Sequence, residues 1–571
     1  MLPVGETIPE TPHAVSVSLP TWQDNVGYEE GDPAVVSKMK GGYPRFVFHP
    51  LIKQLFQYCL DRFGKENESL LVLNSRQATA ECRAFMKCRI KEPAYIHLVE
   101  LVATSNVQSV YSFSTPKIYI ILFPSVYAKV AKEFWQHTGT GITSRFAEYC
   151  LIQLDVFYVL PKQLEPATGS KSQSFKKEER SQNLSRQHLE SSKVASIFVE
   201  ERFGRNLDMK TEVEHVKTAL KRRIAGVLGD AEDSTDVVDD GNDNESLRDE
   251  KVNQDHVFLF PSGMQAIYFS HKVAVALYPG LKSVQYGFPY TDTLKIQEKF
   301  GSGAHFFGHG SLKDLKSLEK LLETEKISSL YCEFPSNPLL ESPPLERLWE
   351  LSQLYKFILV VDETIGNIVN INILNYCHLV VSSLTKVFSG DSNVMGGSLV
   401  VNPNSNLANI LFEKIQELYQ DDLWHEDVLF LERNSRHFKY RIGVINNNAE
   451  QLCDILVKHP KVKQLYYPKY TSRELYERFA NGDKKGYGGL FSVVLHSPEQ
   501  AKKFYDLLPI YKGPSLGTNF TLACPYTILA HYTELEWAEK YGVSPWLIRI
   551  SIGMEDAEWL INSFITALDN I

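Results

Sequence analysis

From about residue 196 onward, short apolar runs alternate with stretches whose apolar residues recur at helical spacing. HVFLF, ISSLYCEF, FILVV, HLVVSSL and GGSLVVN read as strands, rich in β-branched residues and bounded by turn formers. VKTALKRRIAGVL, SGMQAIYFSHKVAVAL and LERLWELSQLY read as helices between them. Continuous rather than alternating apolar strands with helical crossovers predict a mainly parallel sheet covered on both faces. A similar alternation runs ahead of residue 165. There LLVLN (70–74), AYIHLVELVA (94–103) and KIYIILF (117–123) are interleaved with the helical patterns SRQATAECRAFMKCR and VYAKVAKEFWQHTG, which predicts a separate small α/β domain.

Two polar segments interrupt this texture. Residues 165–195 are serine-rich and nearly free of large apolar side chains, which marks a linker. From Asp230 to Glu250 ten carboxylates face the single Arg248, the pattern of a solvated, mobile loop over 229–252. The expected organisation is therefore an extra N-terminal domain over 1–164, the linker 165–195, a large domain over 196–440 carrying the acidic loop 229–252, and a small C-terminal domain over 441–571.

Composition narrows the function class. The 571 residues carry 60 basic and 69 acidic side chains, a net charge of −9, so no basic field exists for a nucleic-acid backbone or an anionic membrane. No apolar run reaches the length of a membrane span, and the opening MLPVGETIPETPHAVS has neither the basic nor the apolar region of a signal peptide. Small-molecule partners and a cytoplasmic location are expected, with nuclear presence left open. The eight cysteines contain no C-x-x-C and read as reduced, mostly buried thiols. The 16 histidines form no H-x-x-x-H pair beside acids, so no metal is expected.

Candidate chemistry gathers at strand ends. Lys386 follows the strand HLVVSSL, and Asp362 closes FILVVDET 24 residues earlier, so both emerge at the carboxyl edge of the sheet, where ligands bind in α/β folds. Ser383 and Thr385 add two hydroxyls. A lysine to join an aldehyde, an acid to hold a protonated pyridine nitrogen, and phosphate donors are what pyridoxal 5'-phosphate requires. More donors come from the strand-to-helix turn Ser262-Gly263-Met264, whose first-turn N–H groups and helix dipole suit a phosphate.

These features occur in a series of motifs: E-x-P-x-N-P at Glu333 to Pro338, V-D-E-T at Val361 to Thr364, S-x-T-K at Ser383 to Lys386, M-G-G at Met395 to Gly397, S-L-G at Ser515 to Gly517, and L-I-R-I-S-I-G-x-E-D ending at Asp556. In that order they resemble the Cys/Met-metabolism, trans-sulfuration family of pyridoxal-phosphate enzymes, in particular its fungal cystathionine γ-synthase-like members. The resemblance covers residues 196 to 571 and implies a fold type I, aspartate-aminotransferase-like subunit. It implies that Lys386 binds the cofactor and shuttles protons, that Asp362 and Thr364 serve its ring side, that Ser262, Gly263, Met264, Ser383 and Thr385 hold its phosphate, and that Asn337 meets the 3-oxygen side. Tyr290 is the best match for the tyrosine stacked on the ring, with Tyr286 the rival. Arg549, near Ser515 and Leu516, matches the arginine that grips the substrate α-carboxylate. The family's Y-x-R, given by a neighbouring subunit to the phosphate, has two candidates, Phe203-Gly204-Arg205 and Tyr43-Pro44-Arg45, of which Arg205 is preferred.

The implied reaction is γ-replacement on O-acetyl- or O-succinyl-homoserine with cysteine to give cystathionine. Homocysteine synthesis from sulfide is the nearest alternative, and a cystathionine γ-lyase or a non-catalytic, cofactor-bound subunit are more distant ones. A homodimer or homotetramer is implied by the resemblance alone. The chain departs from the family at Gly390-Asp391-Ser392-Asn393, which lacks the usual histidine, and at Phe520, where an acid is expected; both are expected to bear on the substrate pocket or subunit contacts. Residues 1–164 suggest no second reaction, and Trp22, Tyr43 and Arg45 read better as domain core than as a wall of the active-site mouth.

Overall fold

The computed structural model describes residues 2–41, 46–91, 95–103, 116–154, 209–228, 246–249 and 251–571. The linker, most of the acidic loop, Tyr43, Arg45 and Arg205 lie outside them.

The five runs read as strands after residue 250, joined by two outside those runs, Ser283–Tyr286 and Ala304–Phe307, assemble into a seven-stranded sheet in the spatial order Val257–Phe260, Gly397–Val401, Leu379–Ser383, Ile358–Asp362, Ser329–Glu333, Ser283–Tyr286, Ala304–Phe307. Only Gly397–Val401 runs antiparallel to its neighbours, so the sheet is mainly parallel, as the apolar runs predict. Both faces are covered. Along Ile358–Asp362 successive side chains enter different clusters of buried residues, Leu359 and Val361 in one and Ile358 and Val360 in the other, as the pleat of a strand buried on both sides requires.

The C-terminal domain has a five-stranded sheet, Val462–Tyr466, Leu490–Leu495, Ile548–Ser551, Leu522–Pro525 and Tyr511–Lys512, antiparallel except for its last pair. Ile548–Ser551 is its middle strand, which fixes Arg549 in a rigid, buried position. The N-terminal domain has an antiparallel sheet in which Lys117–Pro124 lies between Glu68–Leu73 and His97–Val102. It is bound to the large domain by polar contacts: Arg145 and Thr143 both reach Asp427 in buried positions, and Asn74 reaches Gln265 in a half-buried one.

Residues 2–41 do not pack on the N-terminal domain as one piece. His13 bonds Ser144 and Glu148 of that domain, but from Leu19 onward they form an arm on the C-terminal domain, with Leu19 N–H donating to the Lys512 carbonyl and the Lys512 ammonium donating to the Pro20 carbonyl. Trp22 is 5% exposed and packs edge-on against Tyr505, so it is core, but core of the C-terminal domain. Thr21 and Asp24 cap each other at the start of the helix Trp22–Glu30, which turns the arm onto that surface.

The acidic segment is also less uniformly solvated than its composition suggests. Arg248 is buried, donating through Nε to the Ile224 carbonyl and pairing with Glu363, the residue after Asp362. A carboxylate buried at a strand end needs a cationic partner, and the lone arginine of the segment supplies it.

Candidate active site

Adjacent parallel strands in matched register bring the candidate residues together. Glu333 lies beside Asp362 across one ladder, and Asp362 beside Val381 across the next, so three strand ends open onto one edge. The turn after Leu379–Ser383 carries Lys386 back under that edge, held by Leu384 N–H on the Gly396 carbonyl and by Gly396 N–H on Thr385 Oγ1, 3.1 Å. Lys386 is buried, and its Nζ donates to Ser515 Oγ at 3.1 Å. Gly517 makes that approach feasible: its φ is +68°, and a Cβ there would lie 2.6 Å from the Val387 nitrogen and 3.0 Å from Lys386 Cβ.

Opposite stands the N-terminus of the helix Gly263–Leu277. Ser262 caps it, accepting from Gln265 N–H and donating to the Gly139 carbonyl of the N-terminal domain. Its one hydroxyl proton is thus taken, and what the turn offers an anion is backbone N–H and helix dipole. A Cβ on Gly263 would come within 2.6 Å of Ser383 Cβ, so only glycine lets the helix end close on the strand end.

The acids are strongly perturbed. Burial lifts Asp362 to about 6, partly opposed by Thr364, whose N–H donates to Asp362 Oδ1 at 2.8 Å. Thr364 Oγ1 also accepts from Ser383 N–H, tying the two strand ends together. Burial, and then the charge of Asp362, lift Glu333 to about 8, although its oxygens accept N–H groups from Tyr290 and Asn337. Arg549 reaches across from the small domain, donating to the carbonyls of Pro514 and Ser515 at 3.0 and 3.1 Å and to Asn337 Oδ1 at 3.3 Å.

A cavity of about 200 Å³ joins these groups; its lining includes Ser262, Gly263, Met264, Tyr290, Asn337, Asp362, Thr364, Ser383, Thr385, Lys386, Leu516 and Arg549. Tyr290 faces it. Tyr286 does not line it: its hydroxyl donates to the carbonyls of Gly310 and Ser311. Ser515 sits behind Lys386 and Arg549. The preferred phosphate arginine, Arg205, and its rival Arg45 are outside the described residues, but Phe46, next to Arg45 in sequence, lines the cavity.

Sequence reasoning missed several lining residues. Thr291 and Asp292 follow Tyr290 directly and could have been found by extending that motif; Tyr526, and Gln136 and Phe46 of the N-terminal domain, carry no local signal. Neither departure from the family pattern lines the cavity. Ser392 instead receives Val15 N–H from the segment ahead of the arm, and Phe520 packs edge-on against Tyr511.

Comparison with known proteins identifies the group. A family model described as Cys/Met metabolism PLP-dependent enzyme matches residues 250–569, and one described as fungal trans-sulfuration enzyme, N-terminal domain, matches residues 51–143. The chain belongs to the Cys/Met-metabolism family of PLP-dependent enzymes. Cystathionine gamma-synthase of Neurospora crassa is 43% identical, over 99% of this chain and 98% of that protein. The Saccharomyces cerevisiae cystathionine gamma-synthase is 36% identical, over 99% and 98%. A crystal structure of metB from Corynebacterium glutamicum aligns with a TM-score of 0.48 at 26% identity, covering 55% of this chain and 80% of that one.

The mainly parallel α/β sheet of the large domain and the separate C-terminal α/β domain are as expected, and the donor set suits the cofactor. A buried carboxyl raised to about 6 would be stabilised by a cationic ring nitrogen, a buried primary amine suits an aldehyde, and a helix N-terminus pressed against Ser383 suits a phosphate. Among the described residues, no helix is long and apolar enough to cross a membrane.

Proposed function

We propose that this enzyme joins an O-acyl-L-homoserine, acetyl or succinyl, to the sulfur of L-cysteine, giving cystathionine. The observation that carries the reading is the likeness to fungal cystathionine gamma-synthases along the whole chain, N-terminal domain included, together with Lys386 and Arg549 facing one cavity.

When bound, pyridoxal phosphate supplies an electron-withdrawing ring that acidifies the substrate's α-carbon. Asp362 would hold the ring nitrogen in its charged form, and that charge would in turn favour the ionised carboxylate. Gly263, Met264, Ser383 and Thr385 would hold the phosphate, and Tyr290, which lines the same cavity, would face the ring. Arg549 grips the α-carboxylate by its planar fork, already aimed by the Pro514 and Ser515 carbonyls. Lys386, steadied by Ser515, moves the proton at the α-carbon and then assists at the β-carbon. Overall, the γ-carbon loses its bond to the acyl oxygen and gains one to sulfur, and the thiol proton leaves with the carboxylic acid. A homodimer or homotetramer in the cytoplasm belongs to the same proposal.

The test supplies the holoenzyme with O-acetylhomoserine and either cysteine or sulfide, with product identified by mass. Cystathionine is the expected product. Homocysteine alone would make the protein a sulfhydrylase, and no product from a folded, cofactor-loaded protein would overturn the reading.

A further inference from the structure

Three carboxyl groups line the cavity among the described residues, and the reaction above employs one of them, Asp362. Glu333 is held by the backbone N–H groups of Tyr290 and Asn337 and serves the loop between them. Asp292 remains. It is 3% exposed, sits in the first turn of the helix Thr291–Lys299 two residues after Tyr290, and shares the lining with Lys386 and Arg549.

Asp292 is held from across the domain boundary. Nδ1 of His137, at the end of the N-terminal domain's helix Ala128–Thr138, lies 2.8 Å from Asp292 Oδ1. The Lys299 ammonium lies 3.1 Å from His137 Nε2 and pairs with Glu133. An ammonium only donates, so Nε2 is the acceptor and Nδ1–H points at the carboxylate. The lysine thereby sets the tautomer, and the histidine sets the direction of Asp292. Gln136, the residue before His137, lines the cavity itself.

The chemistry of the second substrate provides a use for this group. The first substrate's amino group joins the cofactor, and its carboxylate goes to Arg549. An amino-acid thiol then brings a second ammonium into a largely buried space, where an unpaired charge is costly. We propose that Asp292, oriented by His137, binds the ammonium of the thiol-bearing acceptor and so makes the enzyme prefer cysteine to thiols that lack an amino group. This rests on the function proposed above; within it, Asp292 is a specificity residue and His137 a positioning residue.

The experiment compares wild-type and Asp292→Asn holoenzymes, matched by visible spectrum, with O-acetylhomoserine and three acceptors: cysteine, 3-mercaptopropionate, which is cysteine without its amine, and sulfide. Losing a charge-assisted contact is expected to lower kcat/KM for cysteine by roughly 10- to 100-fold, chiefly through KM, while the other two acceptors change by less than about threefold. His137→Gln keeps the carboxylate and is expected to give a smaller loss confined to cysteine; it serves as the test if Asp292→Asn does not hold cofactor. An equal fall with all three acceptors, or no fall with cysteine, overturns the proposal. If wild type already uses 3-mercaptopropionate as well as cysteine, the proposal fails while the γ-replacement reading stands. If wild type uses no acceptor, both fall.

Discussion

Replacing Asp362 by asparagine should have opposite effects on the cofactor-free and cofactor-loaded protein. Burial raises this carboxyl from 3.8 to about 6, which at about 1.36 kcal/mol per pH unit corresponds to roughly 3 kcal/mol. Between those two values the folded chain binds more protons at this site than the unfolded chain, so stability falls as pH rises through the window, and above about 6 the full penalty remains. Asparagine carries no charge to desolvate. The cofactor-free Asp362→Asn protein should therefore be more stable than cofactor-free wild type at pH 7.5, by up to roughly 3 kcal/mol, and should lose most of that advantage by pH 4.5. Removing the charge also relieves Glu333, which lies alongside in register and is raised in part by Asp362. With cofactor the sign reverses: losing a charged hydrogen-bond partner, worth about 1.5–3 kcal/mol, should weaken cofactor affinity roughly 10- to 150-fold. Urea midpoints at the two pH values and a cofactor titration followed by visible absorbance measure both effects. A cofactor-free variant less stable than wild type at pH 7.5, or an advantage independent of pH, would refute the electrostatic reading of this site.

Other substitutions separate the remaining parts. Arg549→Ala should raise KM for the acyl-homoserine about a hundredfold at an unchanged visible spectrum, since about 3 kcal/mol of charged hydrogen bonding is lost; an altered spectrum with normal KM would place the arginine on the cofactor instead. Gly263→Ala forces its Cβ against Ser383 and should cost about 1–3 kcal/mol, appearing mainly as weaker cofactor retention on dialysis; full retention would mean the helix end shifts without consequence. Arg248→Met leaves Glu363 buried without its cation and should destabilise by about 3–5 kcal/mol, with Glu363→Leu in the same chain recovering most of it; an unchanged urea midpoint in the single variant would show that the pair contributes nothing to stability.

What the sequence determined by itself is what neighbours in the chain can encode. Continuous apolar runs such as FILVV and HLVVSSL announced parallel strands because both their faces must be buried, and Lys386, Asp362 and Ser383 were legible because strand ends in such sheets meet at one edge, whereas Arg549, on a strand of the C-terminal sheet, was legible only through its motif. Tertiary structure alone decided the contacts that join distant segments. It chose Tyr290 over Tyr286 as the residue facing the cavity, by giving Tyr286 two backbone carbonyls to bind. It turned Ser262 toward Gly139, buried Arg248 on Glu363, laid the arm with Trp22 on the C-terminal domain, and set His137 on Asp292. Each of these last four pairings joins residues more than a hundred positions apart, and each exists because a buried polar or aromatic group took the partner that folding brought within reach, which no local pattern specifies.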